Sequence, residues 1–308
     1  MIYRTTLILL FILLSSCDTT KYLMIDNQQY EVVHGPGLIF INENLFADET
    51  ETTNVMWLEF IDWTEGIFGK NSIEFEQIQV DKSIWDNTEF SGKLGEKYFT
   101  QPDFAEYPIV GISLKQAELY SKWRTDRVAE ILLISKGLIK SEFTYSKENY
   151  FTIEKYINGD YDWIISKENI LIPEYILPNK NEWELIAGLG SNHPNGIDST
   201  LRENKKTIKI YNYLYNTAEF HSGTKTKIKK SRCGIATCEA MALGANIYGL
   251  YGILGNVSEL TSNNGISKGG NWKSRFADNQ IEKDLPFDSV NAWTGFRNIA
   301  RQRLLKVK

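Results

Sequence analysis

Three cysteines are the side chains of this 308-residue chain best suited to form a covalent or metal-linked site. Cys233 and Cys238 are separated by four residues, a spacing typical of a small-loop disulfide in an exported protein. A metal site at this pair would need further cysteine or histidine ligands, and only His221 is close in sequence. We therefore predict a disulfide, with a thiolate metal site as the alternative.

The third cysteine, Cys17, ends an N-terminal export signal. Arg4 supplies the positive charge of this signal, and residues 7–14 (LILLFILL) form an apolar run too short to span a bilayer as a mature helix. The run leads into LSSC, which resembles a bacterial lipobox, whose cysteine is acylated and becomes the mature N-terminus. We predict a signal peptide over 1–17, lipidation of Cys17 and a tether over 18–34. The alternative is an ordinary secretory signal that happens to contain a cysteine.

The predicted anchor places the chain in the bacterial cell envelope, on the periplasmic side or the cell surface, with the choice between inner and outer membrane left open. A net charge of −5 does not supply the basic face that nucleic-acid binding requires, so we expect no nucleic-acid partner. The membrane and envelope proteins are the expected partners. The basic run at 225–232 (KTKIKKSR) is predicted to be a solvated loop rather than a lipid-binding patch.

Capping residues predict the helices that must position any site. Ser113 and Gln116 form a capping box at the start of the clearest helix, and Gly137 suits the position just after its end. Asn179 or Asn181 caps a shorter helix that carries Trp183. Residues 52–54 (TTN) offer caps for a further helix, which we predict through residue 62.

The sequence patterns that predict strands are weaker than the capping signals that predict helices. Alternation predicts one strand over 35–46 and another over 207–213. Residues 138–174 are polar and aromatic, with two or three plausible short strands, and we interpret them as an insertion.

Glycine-rich motifs dominate the C-terminal third. YGILGNVSEL at 251–260 is followed by KGGNW at 268–272 and TGFR at 294–297. Glycines at this density permit positive φ angles and close backbone approach, which predicts a core built from loops. The residues that form this motif core are Asn256, Gly269, Gly270, Trp272, Gly295 and Arg297.

Together with three upstream blocks, these motifs resemble the formylglycine-generating enzyme (sulfatase-modifying factor) family. The upstream blocks are residues 46–60 (FADETETTN, then WLEF), 107–124 (YPIVGIS through WR) and 177–184 (LPN through EWE). They occur in the family's order over about residues 37–301. With its lipobox, the chain is particularly similar to lipoproteins of this family associated with gliding motility and protein secretion.

The resemblance implies an α+β fold related to C-type lectins, with little regular secondary structure and several short helices. It also implies a domain over 35–304, decorated by the insertion at 138–174. The bottom-up pattern agrees with this fold class, because no alternation of strands and helices typical of a parallel sheet is present.

The resemblance also implies a copper ion held by two thiolates just after the GG motif. A gapless comparison puts Ser274 and Asn279 at those positions, and neither side chain can replace a thiolate for copper. Copper is therefore disfavoured and no catalytic residue is predicted. For calcium, the resemblance implies a candidate site formed by Glu259 with the carbonyls of Gly255 and Val257, and a weaker site at Asn216 and Thr217. The alternative for Glu259 is a hydrogen-bonding role within the glycine loop.

Three functions follow. The first is a lipid-anchored, non-catalytic binding or scaffold component of an envelope assembly, such as one for gliding motility or secretion. The second is an oxidase that acts on exported protein cysteines or another small substrate. The third is a carbohydrate-binding module, suggested by aromatic residues of the insertion such as Tyr150 and Trp163.

Overall fold

The computed structural model describes residues 21–141, 145–188, 233, 236–275 and 279–306. Short helices and strands are mixed along these residues, which confirms the predicted α+β class. The helices are α1 (Asn54–Phe68), α2 (Ile73–Gln77), α3 (Glu96–Thr100), α4 (Leu114–Ser135), α5 (Ile153–Asn158) and α6 (Lys180–Ala187). The strands are β1 (Tyr22–Ile25), β2 (Gln28–Glu31), β3 (Leu38–Asn42), β4 (Leu45–Asp48), β5 (Ile170–Ile176), β6 (Ser258–Leu260), β7 (Ile266–Lys268), β8 (Leu285–Pro286), β9 (Thr294–Gly295) and β10 (Ile299–Leu305). No helix of the described residues has the length and apolar character that crossing a membrane requires.

Two four-stranded sheets organise the core. One has the order β3-β4-β10-β5 and is antiparallel throughout. The other has the order β8-β7-β6-β9, in which β6 and β9 run parallel. Between the sheets, the glycine motifs bring residues from distant parts of the sequence into one buried centre.

The segment predicted as a tether is partly folded. Strands β1 and β2 pair as an antiparallel hairpin, with Asp26 and Asn27 at positive φ in its two-residue turn. The side chain of Gln302 bonds both the N–H and the C=O of Val33, which fastens the end of this segment to β10. Within the predicted tether over 18–34, Leu23 and Val32 thus find apolar partners on the main sheet.

The single strand predicted over 35–46 is a hairpin. The chain reverses between β3 and β4, where the Asn44 N–H donates to the side chain of Asn42. An Asn side chain that accepts from the backbone two residues later stabilises a tight turn. The alternation of apolar and polar residues continues through this turn, so the sequence pattern did not indicate that the chain reverses there.

Helix α4 has the predicted capping box, with Ser113 accepting from the Gln116 N–H and the Gln116 side chain accepting from the Ser113 N–H. The helix also covers the edge strand β5. The Thr125 hydroxyl accepts from the Tyr175 N–H at 2.9 Å and lies 3.3 Å from the Tyr175 carbonyl oxygen. Because edge strands expose unpaired backbone groups, this contact closes part of the sheet's outer edge.

Residues of the predicted insertion pack against the C-terminal half of α4. Their cluster includes Phe151, Tyr156, Tyr161 and Trp163, all buried. Arg127 of α4 joins this region by a hydrogen bond to the Phe151 carbonyl oxygen, and an ion pair with Glu130 on the same helix holds the Arg127 side chain. The segment ends in β5, a strand of the first sheet.

Candidate functional site

The buried centre is organised around Arg297, which follows β9. Its Nη2 lies 2.7 Å from Oε1 of Glu259 on β6, and neither side chain has exposed surface. Nε1 of Trp183 donates to the other oxygen of the same carboxylate at 2.7 Å. Arg297 also donates to the carbonyl oxygens of Asp48 and Tyr251. These bonds satisfy the charge of Arg297 and link four separate segments, which is the condition for a stable buried ion pair.

A second buried acid, Glu51, lies beside this pair. Burial raises the pKa of Glu51 well above its usual value, and the charge of Glu259 adds to that effect, whereas Arg297 and a hydrogen bond from Asn256 oppose it. Two carboxylates that share one guanidinium in a low-dielectric interior cannot both ionise cheaply. Burial therefore favours the protonated form of the Glu51 carboxyl, whose pKa is raised. Sequence analysis missed Glu51, although it lies in the TETTN block that carried part of the resemblance.

Asn256 links the glycine loop to the disulfide segment through hydrogen bonds. Its Oδ1 accepts from the Cys238 N–H at 2.9 Å, and its Nδ2 donates to Glu51 at 3.1 Å. Its backbone carbonyl accepts from the Trp272 N–H at 2.9 Å. Asn256 adopts a positive φ of 59°, a conformation that Asn tolerates better than most residues.

Cys233 and Cys238 are joined by a disulfide bond, with their sulfurs 2.11 Å apart. The residues beside Cys238 pack into the core, since Ala236 joins the cluster of Trp85 and Trp272 and the Thr237 hydroxyl bonds that of Tyr98. This arrangement places the disulfide segment next to Asn256 and therefore near the start of the GG motif.

The positions that the resemblance assigns to copper thiolates are in direct contact with each other. The Ser274 hydroxyl donates to Oδ1 of Asn279 at 2.6 Å, and it also accepts from the Asn271 N–H at 2.8 Å. Asn279 lies directly against Gly270, where an added Cβ would be 1.8 Å from Oδ1 of Asn279. A hydroxyl and an amide that are already bonded to each other form no soft-metal ligand set, so these residues do not fit copper.

The remaining motif residues allow the loop backbones to pack closely or fill the core around them. Gly269 has a φ of +91°, and an added Cβ would lie 2.6 Å from the Ile253 carbonyl oxygen. Gly295 likewise leaves no room for a Cβ beside the Ile109 carbonyl oxygen. Trp272 is buried against Trp85 and donates to the Ala292 carbonyl oxygen.

The candidate calcium ligands are close in sequence, but the key carboxylate is already engaged. Both oxygens of Glu259 accept from Arg297, and one also accepts from Trp183. A Ca²⁺ ion would have to displace a buried guanidinium to reach this carboxylate. The Gly255 N–H bonds to the Gly269 carbonyl oxygen, and Val257 is fully buried. The donor set around Glu259 does not fit calcium.

Among the described residues, no three His, Cys, Asp or Glu side chains lie close enough together to hold a metal ion. Cys17, Asn216, Thr217, His221, the predicted strand at 207–213 and the basic run at 225–232 lie outside the residues that the structure describes.

A comparison with protein families matches residues 39–302 to the sulfatase-modifying factor enzyme 1-like domain. The chain belongs to this family. The match confirms the resemblance drawn from the sequence motifs, and the buried centre is made from those motifs. No curated protein matches the chain significantly.

Three solved structures are similar to this chain. PvdO from Pseudomonas aeruginosa is 13% identical, with a TM-score of 0.48 over 83% of this chain and 80% of that chain. CarF is also 13% identical, with a TM-score of 0.44 over 86% and 92% of the two chains. Treponema denticola variable protein 1 is 15% identical, with a TM-score of 0.41 over 92% and 99%. At these identities the likeness concerns the fold alone.

Proposed function

We propose that this family member is a lipid-anchored, non-oxidising protein of the bacterial cell envelope that acts as a binding or scaffold component of an envelope assembly, such as one for gliding motility or secretion. The observation that carries the proposal is the hydrogen bond between Ser274 and Asn279. It fills the place where the family resemblance implies two thiolates. The chain therefore keeps the domain of the family but has a hydrogen bond between two uncharged side chains in place of the implied thiolate pair.

The other two sulfurs offer little support for the oxidase alternative. A copper site needs thiolates, and Cys233 and Cys238 are bonded to each other. In an oxidising compartment such a pair is stable as a structural crosslink. An oxidase built on this pair would first require its reduction.

The carbohydrate alternative in its first form depended on Tyr150 and Trp163. Trp163 is buried and stacks on Tyr161, with ring centroids 4.0 Å apart, so it offers no face to a ligand. Tyr150 is half-buried and lines a groove instead.

Cys17 and the folded β1–β2 hairpin support the proposed membrane attachment. Five residue steps separate Cys17 from Tyr22, the first residue of β1, and they span at most about 18 Å when fully extended. An acylated Cys17 would therefore hold the β1–β2 hairpin against the bilayer surface. Tyr22 and Met24 are exposed on the same face of β1, and an aromatic and an apolar side chain suit the membrane interface.

Anchoring is tested with the Cys17→Ser variant in the bacterium that produces the protein. We expect the wild-type chain to fractionate with membranes and to incorporate labelled fatty acid, and the variant to do neither. Incorporation of the label by Cys17→Ser would contradict the anchor.

The absence of oxidase chemistry is tested on the full chain in detergent. We expect no stoichiometric Cu(I) binding and no copper-dependent oxygen uptake with a cysteine-containing peptide. The Ser274→Cys/Asn279→Cys double variant is the positive control, because it restores sulfur at two contacting positions and should gain Cu(I) binding. Stoichiometric copper on the wild type that is lost in Cys233→Ser/Cys238→Ser would support the oxidase instead.

The scaffold role is tested by chemical crosslinking in intact cells followed by purification under denaturing conditions. We expect the same envelope proteins to be recovered with the wild type and with a Ser274→Ala variant. Recovery of the chain without partners, at crosslinker levels that join known envelope complexes, would contradict the role.

A further inference from the structure

A cleft of about 690 Å³ lies beside α4. It is lined by α4, α5, β5, β10 and the first turn of α6. Lys122 and Asp126 of α4 face Arg301 and Arg303 of β10 across it, and Glu174 of β5 lies beside them. Neither the motifs nor the family resemblance assigned any role to this cleft.

A second groove, of about 180 Å³, continues from the cleft towards α1. The two share Lys122, Asp126 and Thr152 in their linings, so they are adjacent, and we call the two together the trough. The groove is lined by four partly exposed aromatic side chains, namely Trp63, Phe68, Trp123 and Tyr150. The trough therefore has an aromatic end and a polar end, with Asp126 at the junction.

The polar end carries charges of both signs, and several of them pair within the protein. Arg301 pairs with Glu182, and Arg303 pairs with Glu174 at 2.7 Å. Arg127, at the aromatic end, pairs with Glu130 at 2.6 Å. Such pairs leave donors and acceptors in the trough without a strong field of one sign, so the trough does not select an anion or a cation. An uncharged ligand with many hydroxyl groups matches this lining.

Asp126 has the geometry of a ligand acceptor. It is 8% exposed, and its Oδ1 accepts from the Ile153 N–H at 3.0 Å. This is the only hydrogen bond to Asp126 among the residues that the structure describes, and the side chain lines both parts of the trough. The other oxygen, Oδ2, stays accessible from the trough, and a ligand hydroxyl would supply a donor to it.

A bound peptide strand is disfavoured at this place. Strand β5 is the edge of its sheet, and a peptide could in principle extend the sheet there. Thr125 already engages the N–H of Tyr175 and lies beside its carbonyl oxygen. Helix α4 therefore blocks the strand edge that faces the trough.

We propose that the trough binds a neutral oligosaccharide, with a sugar ring on the aromatic end at Tyr150 and hydroxyl groups bonded to Asp126 and Lys122. Sugar rings pack their apolar C–H faces on aromatic side chains, while planar carboxylate and guanidinium groups bond their hydroxyls. The inference deepens the proposed binding function and depends on it. It also moves the expected sugar contact from the buried Trp163 to Tyr150 and Asp126.

The test is isothermal titration calorimetry of the full chain in detergent with four uncharged tetrasaccharides: those of N-acetylglucosamine, β-1,4-glucose, α-1,4-glucose and mannose. We expect saturable binding of at least one. Asp126→Asn keeps the oxygen that accepts from Ile153 and removes the free one, so it should weaken binding about tenfold. Tyr150→Ala should weaken the same binding by a similar factor.

Matched controls separate loss of the site from loss of folding. Asp162→Asn alters an exposed acid and Tyr30→Ala alters a partly exposed tyrosine, both outside the trough, and these variants should bind as the wild type does. Thermal unfolding of each variant checks its fold.

Three results would overturn the inference: no saturable binding by any of the four probes, binding that survives both trough variants, or tighter binding of spermine, inositol hexaphosphate or an unstructured peptide. None of these results depends on copper or oxygen uptake, so the inference and the non-oxidising assignment can fail separately.

Discussion

The guanidinium of Arg297 and the carboxylate of Glu259 meet at 2.7 Å in the interior, and neither side chain has any exposed surface. Arg297 follows a two-residue strand and Glu259 belongs to a three-residue strand, so little regular structure supports them. The pair and its carbonyl partners therefore link segments of the chain that longer strands would hold together in another fold.

Glu259→Gln should destabilise the protein by about 3–5 kcal/mol, because it leaves the Arg297 charge buried without its main partner. The measurement is the free energy of unfolding in urea. Glu96→Gln, which removes an exposed partner of Lys82, is the control and should have a far smaller effect, because an exposed ion pair is screened by solvent. Equal effects of the two variants would contradict the assignment of Arg297 as the central crosslink.

Glu51 should make stability fall as the pH rises. Its pKa in the folded protein is raised by burial, so the native state keeps a proton that the unfolded chain releases near its ordinary value of 4.5. The contribution is fully present below that value and is lost as the pH rises through the folded pKa. Glu51→Gln cannot release this proton, so its unfolding free energy should depend less on pH between about 5 and 9. Parallel pH profiles for the variant and the wild type would refute this.

Gly270→Ala should destabilise by about 2 kcal/mol or more, since it combines a positive φ of 74° with contact with Asn279. Gly265→Ala is a matched control, because Gly265 has a φ of 76° and open space around it. Its cost should be about 1 kcal/mol. Adding Asn279→Ala to Gly270→Ala should recover part of the difference in a thermal unfolding series. A Gly270→Ala cost no larger than the control's would show that Asn279 does not restrict this site.

Thr125→Val should cost about 1–3 kcal/mol, because it leaves the buried Tyr175 N–H without an acceptor. Thr125→Ser keeps the hydroxyl and should cost less. Hydrogen exchange at the Tyr175 amide gives the local readout, and we expect it to become faster in the valine variant alone. Unchanged exchange in Thr125→Val would mean that the helix does not protect this edge.

Local capping signals predicted where α1, α4 and α6 begin, but α1 runs to Phe68 instead of residue 62, and α2, α3 and α5 were not predicted. The predicted capping box at Ser113 formed, and Asn179, one of the two predicted caps of α6, forms another, since a cap involves side chains and amides within three residues of each other. The ordered motifs predicted the family, which the match over 39–302 confirmed. Strand ends were harder, as the missed turn between β3 and β4 shows, because alternation does not mark where a hairpin reverses.

The sequence by itself determined the family fold, the helix caps and the replacement of the sulfur positions by Ser274 and Asn279. Only the tertiary structure decided that Glu259 pairs with Arg297, that Glu51 joins them, and that the trough lies beside α4. Asn256 meets Glu51 across 205 residues and Arg297 meets Asp48 across 249. Local propensity acts over a few residues, whereas burial and charge pairing at such separations exist only once the whole chain has closed around them.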